Sequence, residues 1–485
     1  MSVLSELEPK LVFKYFEAIT QIPHGSGNVE KISNYIADFA KERNLEYIQD
    51  DFKNVIIKKP ASKGYENEPT VILQGHMDMV AVSEPGLDID MKKDPLKLRL
   101  SGDIIDAEGT SLGGDDGIAV AYMMAILDDD SIMAPALECI FTVDEEVGMD
   151  GAREIDLSGL KGSRMINLDS EDEGIFLTSC AGGARVNCNL SFERVQWHGV
   201  AFEIEVGGLL GGHSGEMIKC ERGNSNVLFG RVLLELNDKY NACILKAKGG
   251  LADNAIPRQT VFTVVIDEND EKSFKKTIKA LENEIRDELG EKDPDFKITL
   301  KPGKKGTYNV ISDVETAWLA SYITALPNGV MANSSSVPGL VETSLNLGML
   351  WLNEEETVLH ADFSVRSSVN SAKDALIAKI RAVTELAGGF ITVEGSYPGW
   401  KYRVDSPLRD KMVRVFEDMY GKKPEVKAIH AGLECGLLGD KLKDLDCVSI
   451  GPDMQDIHTT EEKLSVASTT RVWEFLIRVL AEKDN

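Results

Sequence analysis

Apolar positions in the first third of the chain switch repeatedly between helical and strand-like spacing. Residues 11–19 and 29–43 carry apolar side chains at helical intervals, with Asn28 placed to cap the second segment. Asn54-Val55-Ile56-Ile57 and Thr70-Val71-Ile72-Leu73-Gln74 are short apolar runs rich in β-branched residues, and they predict strands. Residues 117–128 are almost wholly apolar, which predicts a helix buried on all sides. Strands are expected again at 137–143 and 165–168. Strands alternating with helices predict an α/β sheet whose ligand-bearing loops follow the strand ends.

After Cys180-Ala181-Gly182-Gly183 the texture changes. Residues 202–206 alternate with period two, and 261–266 form a β-branched run of the more buried type. Amphipathic helices are expected at 226–237 and 271–289. These features predict an α+β region with an antiparallel sheet. A second such unit is expected over 314–386, with a strand at 357–365 and a helix at 372–386. A turn-rich segment at 395–400 closes the region, and the tail returns to α/β texture, ending in a helix at 468–482.

Five polar positions at predicted strand ends and loops carry the candidate chemistry. Gly75-His76-Met77-Asp78 follows an apolar strand, and in extended chain His76 and Asp78 share one side. A lone H-x-D is more often a structural hydrogen bond than a ligand pair. Gly113-Gly114-Asp115-Asp116-Gly117 opens the buried helix, where carboxylates also serve as caps. Asp144-Glu145-Glu146 and Asp169 each follow an apolar strand, and like charges beside buried strands are costly without a cation. His458 lies on a loop after a strand ending at 450. Two histidines and at least three carboxylates at sheet edges form the ligand inventory of a two-zinc hydrolytic centre.

Composition narrows the field. Lys and Arg total 53 against 80 Asp and Glu, a formal net charge of −27, with no basic patch to attract nucleic acid or an anionic membrane. The longest apolar stretch, 117–127, is well short of the ~20 residues of a membrane span. Residues 1–8 are acidic and lack the apolar core of a secretory signal. Seven cysteines with no C-x-x-C pair fit a reducing compartment. A cytoplasmic protein with no membrane or nucleic-acid partner is expected.

The order G-H-x-D, G-x-D-D-G, E-E-x-G, a strand-end Asp and a late His resembles the aminoacylase/carboxypeptidase-G type of co-catalytic zinc peptidases. Within that type the chain is most similar to the aminoacyl-histidine dipeptidases (Xaa-His dipeptidases, carnosinases). The likeness rests on Ile22-Pro23-His24, Gly75-His76-Met77-Asp78-Met79-Val80, residues 144–152, and Asn167-Leu168-Asp169-Ser170-Glu171. It continues through Gly211-Gly212-His213-Ser214-Gly215, Asn254-Ala255-Ile256-Pro257-Arg258, Val341-Glu342-Thr343-Ser344 and His430-Ala431-Gly432-Leu433-Glu434.

The resemblance implies a role for each position. Asp115 bridges two divalent metals, with His76 and Asp169 completing one site and Glu146 and His458 the other. Zinc is the expected metal, with manganese and cobalt as alternatives. Glu145 is the general base towards a hydroxide shared by the two zincs, Asp78 orients His76, and His213 holds the oxyanion. The Asp115–Asp116 peptide is expected to be cis. Arg366 is the candidate partner for a dipeptide carboxylate, because a guanidinium pairs well with that group. Asn254 and Gly432 are expected to hydrogen-bond substrate. Glu434 is open between anchoring the substrate amine and a structural role, while His24, His198, His360 and His430 are read as structural.

The four early ligands precede the texture change and His458 follows it. One centre therefore requires a discontinuous catalytic domain, 1–183 with 400–485. It is interrupted by an inserted α+β lid or dimerisation-like domain, 184–399, built as two subunits. The expected activity is hydrolysis of dipeptides, preferentially Xaa-His. A broad dipeptidase or an N-acyl-amino-acid deacylase is the alternative on the same site. The partners are a small peptide and, as a candidate, a second copy of the chain.

Overall fold

The computed structural model describes residues 2–484. By internal contact the chain divides into two units. The first comprises Met1–Ser179, Trp400–Ala428 and Leu433–Asn485, and the second comprises Cys180–Gly399 with Ile429–Gly432.

The first unit is built on an eight-stranded mixed sheet. Its order is Glu46–Gln49, Val55–Lys59, Leu137–Thr142, Val71–His76, Arg164–Asn167, Asp446–Ser449, Ile175–Cys180, Glu425–Ile429. Val71–His76 runs parallel to Leu137–Thr142 and to Arg164–Asn167, which in turn runs parallel to Asp446–Ser449. These four strands are nearly all buried, as the continuous apolar runs require for central parallel strands. Their C-terminal ends emerge on one edge, where loops of an open α/β sheet collect functional groups.

The helix Gly114–Asp128 is buried along nearly its whole length, packed between the helix Lys10–Thr20 and the strand Val71–His76. Two glycines make these approaches possible. A Cβ on Gly117 would lie 3.2 Å from Ile19, and one on Gly75 would lie 2.5 Å from the Asp116 carboxylate. Gly75 thus lets the start of the helix reach the end of the strand. The helix Glu30–Glu42 begins without the expected cap: Asn28 instead donates to the carbonyls of Pro23 and Lys92, bracing the preceding loop.

The second unit carries a ten-stranded antiparallel sheet. Strands from both of its halves join this one sheet through the pairings of Cys243–Gly249 with Val341–Leu352 and of Gly182–Ser191 with Val358–Ser367. The helices Ser225–Tyr240, Glu271–Leu289, Asp313–Ala325 and Asn370–Leu386 contribute to a single apolar core with it. The two expected subunits therefore share a sheet and a core. The segment expected as turn from 395 continues the edge strand Phe390–Tyr397. A register shift after Glu394, with Gly395 at φ 55°, bends the strand without ending it.

Candidate metal centre

His76 ends the strand Val71–His76. Its Nδ1 lies 2.9 Å from the main-chain oxygen of Asp78, and since a carbonyl only accepts, Nδ1 carries the hydrogen. In the neutral ring this leaves the Nε2 lone pair free for a metal. Nε2 faces Asp115 Oδ1 at 3.2 Å and Asp169 Oδ1 at 3.7 Å. Despite deep burial, which alone would depress it, these carboxylates and Asp78 hold His76 well above the usual imidazole range.

His458 lies on the loop joining the short strands Met454–Gln455 and Lys463–Ser465. Its Nε2 is 3.1 Å from Asp115 Oδ2 and 2.9 Å from Glu146 Oε1. Hydrogen bonds to these two carboxylates push it up to about 10. Asp115 therefore presents one oxygen to each histidine, and each histidine has a second carboxylate near the same Nε2 nitrogen. Two imidazole nitrogens set against opposite oxygens of one carboxylate fit a pair of divalent cations sharing that carboxylate.

Three groups place their ligand atoms within 4.8 Å of one another: His76 with Asp116 and Asp169, His76 with Glu145 and Glu146, and Asp115 with Glu146 and His458. Asp116, given no role from sequence, enters the first of these. Its Oδ2 accepts the His76 N–H at 3.1 Å, while buried Oδ1 has no hydrogen-bond partner. Burial and Asp169 push the Asp116 carboxyl well above its ordinary range. The Asp115–Asp116 peptide bond is cis.

The loop bearing Asp115 is held from an unforeseen direction. The carboxylate of Glu462 accepts the N–H groups of Leu112, Gly113 and Gly114 at 2.8–3.0 Å, and that of Asp115 at 3.3 Å. A carboxylate collecting N–H groups at a helix start satisfies donors that no helical carbonyl reaches.

Asp78 meets His76 through its main chain and its carboxylate: Nδ1 donates to the Asp78 main-chain oxygen, and the carboxylate stands 3.6 Å from the same nitrogen. The Asp78 carboxylate also accepts Ser26 Oγ at 2.8 Å and the N–H groups of Glu145 and Glu146 at 3.1 and 3.4 Å. It fixes the backbone of the acidic loop. Burial, against the pull of His76 and with Asp169, Glu434 and Glu146 adding to it, raises the Glu145 carboxyl well above its usual range.

A buried polar strap runs beneath the ligands. Asn167 donates to Gln74 Oε1 at 2.6 Å, and Gln74 Nε2 and Thr142 Oγ1 each donate to Glu434 Oε2 at 2.6 Å. All four side chains are fully buried. Gln74 and Asn167 each stand two residues before a ligand candidate in an otherwise apolar strand. That repeated offset was the available sequence signal.

His213, Asn254, Arg366 and Gly432 belong to the second unit. The short strand Gly212–His213 pairs with Ala255–Ile256, and the Ser214 N–H donates to the Asn254 carbonyl. Arg366 is buried with Nε unpartnered, and after burial its charge is the main influence lowering both His213 and His430. Gly432 approaches Tyr397: a Cβ there would lie 3.0 Å from the ring.

Residues 72–482 match the profile of peptidase family M20/M25/M40. The cytosol non-specific dipeptidase of Escherichia coli strain K12 is 34% identical over 484 residues, 99% of each chain. The crystal structure of an aminoacylhistidine dipeptidase from Vibrio alginolyticus is similar with a TM-score of 0.94 and 33% identity, covering 99% of both chains. An aminopeptidase from Bacillus cereus shares the fold, with a TM-score of 0.62 at 18% identity over 98% of each chain.

Proposed function

The chain belongs to peptidase family M20/M25/M40, hydrolases that act on peptide bonds, and from that premise we propose that it cleaves dipeptides with two divalent cations. The observation that carries this reading is the division of Asp115 between His76 and His458. Asp115 would be the ligand common to both cations, His76 and Asp169 would hold one of them, and Glu146 and His458 the other. When bound, the cations supply acidification of the attacking water and polarisation of the scissile carbonyl.

The residues of the chain do the rest. Glu145 takes the proton of the water and passes it to the leaving amine. Asp78 positions Glu145 and Glu146 through their backbone N–H groups. Glu434 is assigned a positioning role, because its partners Gln74 and Thr142 already occupy one of its oxygens beneath the ligand-bearing strands. The second unit serves as the lid on this reading. Its His213 stabilises the oxyanion, Arg366 pairs the substrate carboxylate, and Asn254 and Gly432 hydrogen-bond the peptide.

A C-terminal histidine is the proposed preference, supported by the likeness to the Vibrio enzyme. The name of the Escherichia coli relative favours a second reading, a broad dipeptidase. Zinc is the proposed metal and the cytoplasm the proposed location.

The test is metal content together with turnover of dipeptides, Xaa-His and others, and of N-acetyl amino acids, before and after chelation. Dipeptide cleavage lost on chelation and restored by zinc is expected. Faster cleavage of the acetylated set would sink the dipeptidase reading. Equal rates on all dipeptides would leave the broad reading in place of the Xaa-His one.

A further inference from the structure

The exposed face of the ten-stranded sheet holds a groove of about 570 Å³. This lies within the size range of small-molecule sites. Its floor is made by neighbouring strands: Arg185 and Asn187 on Gly182–Ser191, His360 and Asp362 on Val358–Ser367, and Met349 and Trp351 on Val341–Leu352. Glu394 on the edge strand and residues 251–253 form further walls. None of these side chains serves the proposed reaction.

The polar groups of the groove do not cancel. Asp253, Asp362 and Glu394 face a single arginine, and Arg185 is already committed to Asp253, with Nε 2.5 Å from Oδ2. Asp362 is only 7% exposed, yet among the described residues its carboxylate has neither a hydrogen-bond donor nor an ion pair within 4 Å. Asn187 Oδ1 is likewise buried without a partner, while its amide donates to Thr392. Burial and Asp253 push the Asp362 carboxyl up to about 6, against the pull of Arg185. Three carboxylates set against one committed arginine, with a buried amide oxygen left unpartnered, suit a ligand that donates hydrogen bonds and carries positive charge.

The remaining surface gives the shape of that ligand. Trp351 and His360 stack with centroids 4.6 Å apart and planes 12° from parallel, so each ring covers one face of the other. Met349 lines the groove and Leu251 stands almost fully exposed at its wall. An aromatic face attracts a cation, and these apolar groups suit an aliphatic stem.

We propose that this groove is a second binding site, specific for an organic cation: a guanidinium or ammonium group on an apolar stem. The cation occupies the space between Asp362 and Asn187, and the stem lies along Met349 and Leu251. A free amine and the basic side chain of a peptide share this chemistry.

The test is calorimetric titration of the full-length, metal-loaded protein with agmatine, which has a guanidinium, an apolar stem and no peptide bond. Saturable binding is expected, weakened about tenfold or more by Asp362→Asn, since a hydrogen bond to a charged group is lost. Glu394→Gln, at an exposed position, is the second variant should Asp362→Asn fail to fold; it is expected to weaken binding severalfold. Succinate, a dianion of similar length, is expected not to bind. Acetyl-D-arginine amide separates the sources: tighter binding than agmatine identifies a peptide side chain, and weaker binding a free amine. No binding of millimolar agmatine, or equal binding by wild type and both variants, overturns the proposal.

Discussion

Gln74 donates a 2.6 Å hydrogen bond to Glu434, joining a buried strand of the early chain to a helix that begins far downstream. Thr142 donates to the same oxygen, and Asn167 reaches it through Gln74. One buried carboxylate thus ties together the three parallel strands that lead to His76, to Glu145 and Glu146, and to Asp169. The proposed ligands are held from below as well as by each other.

Glu434→Ala is expected to lower metal retention or activity about 10–100-fold, the usual effect of removing a group that supports metal ligands. Glu434→Gln keeps an acceptor for Thr142 and Gln74 and is expected to recover most of the loss. Metal content and kcat are read together. An Ala variant with wild-type values of both refutes the positioning role. Loss of substrate affinity alone in both variants returns Glu434 to the substrate amine.

Glu145→Ala is expected to reduce kcat by about 100-fold or more, the scale of general-base catalysis, with both metals still bound. Metal analysis beside steady-state kinetics checks it. Turnover near the wild-type rate removes Glu145 from its role.

Glu462→Ala strips the acceptor from four backbone N–H groups before and at Asp115. Leaving buried donors unpaired costs about 1–3 kcal/mol each, so a loss of at least about 4 kcal/mol is expected. Urea unfolding gives the stability and a metal titration the weakened affinity. Unchanged values in both would show that the loop holds its shape without the carboxylate.

His430 gives the second unit a pH signature. Burial, then the charge of Arg366, lowers it from 6.5 to about 4, and Ser344 Oγ lies 2.7 Å from its Nε2. Between those values the unfolded chain takes up a proton that the folded chain refuses. Stability is therefore complete above about pH 6.5 and declines as the pH falls towards 4, by about 3 kcal/mol in all. The wild type minus His430→Gln, compared by thermal unfolding across this range, should show the decline; parallel curves would contradict it.

The α/β sheet was legible because its central parallel strands are buried on both faces, which writes them as unbroken apolar runs. His76, Glu145, Glu146 and Asp169 were visible as polar groups closing such runs, whereas Asp115 stands before a buried helix and His458 on a loop, so both depended on the motif order. Glu462 was not, because its partners lie about 350 positions earlier and only the fold brings the two together. Asp78 sat in a recognisable motif, yet its carboxylate serves Ser26 and the acidic loop, a pairing that no local spacing encodes. The two halves of the second unit read as separate because each has strands followed by helices. The pairings that merge them join residues 247–249 to 350–352 and residues 182–191 to 358–367, both at long range.

The interruption of the first unit also sets an order of events during synthesis. Asp115, Glu146 and Asp169 emerge early, whereas Glu434, His458 and Glu462 follow the whole of Cys180–Gly399. A growing chain cannot complete the centre until that segment has been made. Nascent and prematurely ended chains hold the acidic loops without their second histidine. Peptidase activity, on this account, is withheld from every unfinished copy.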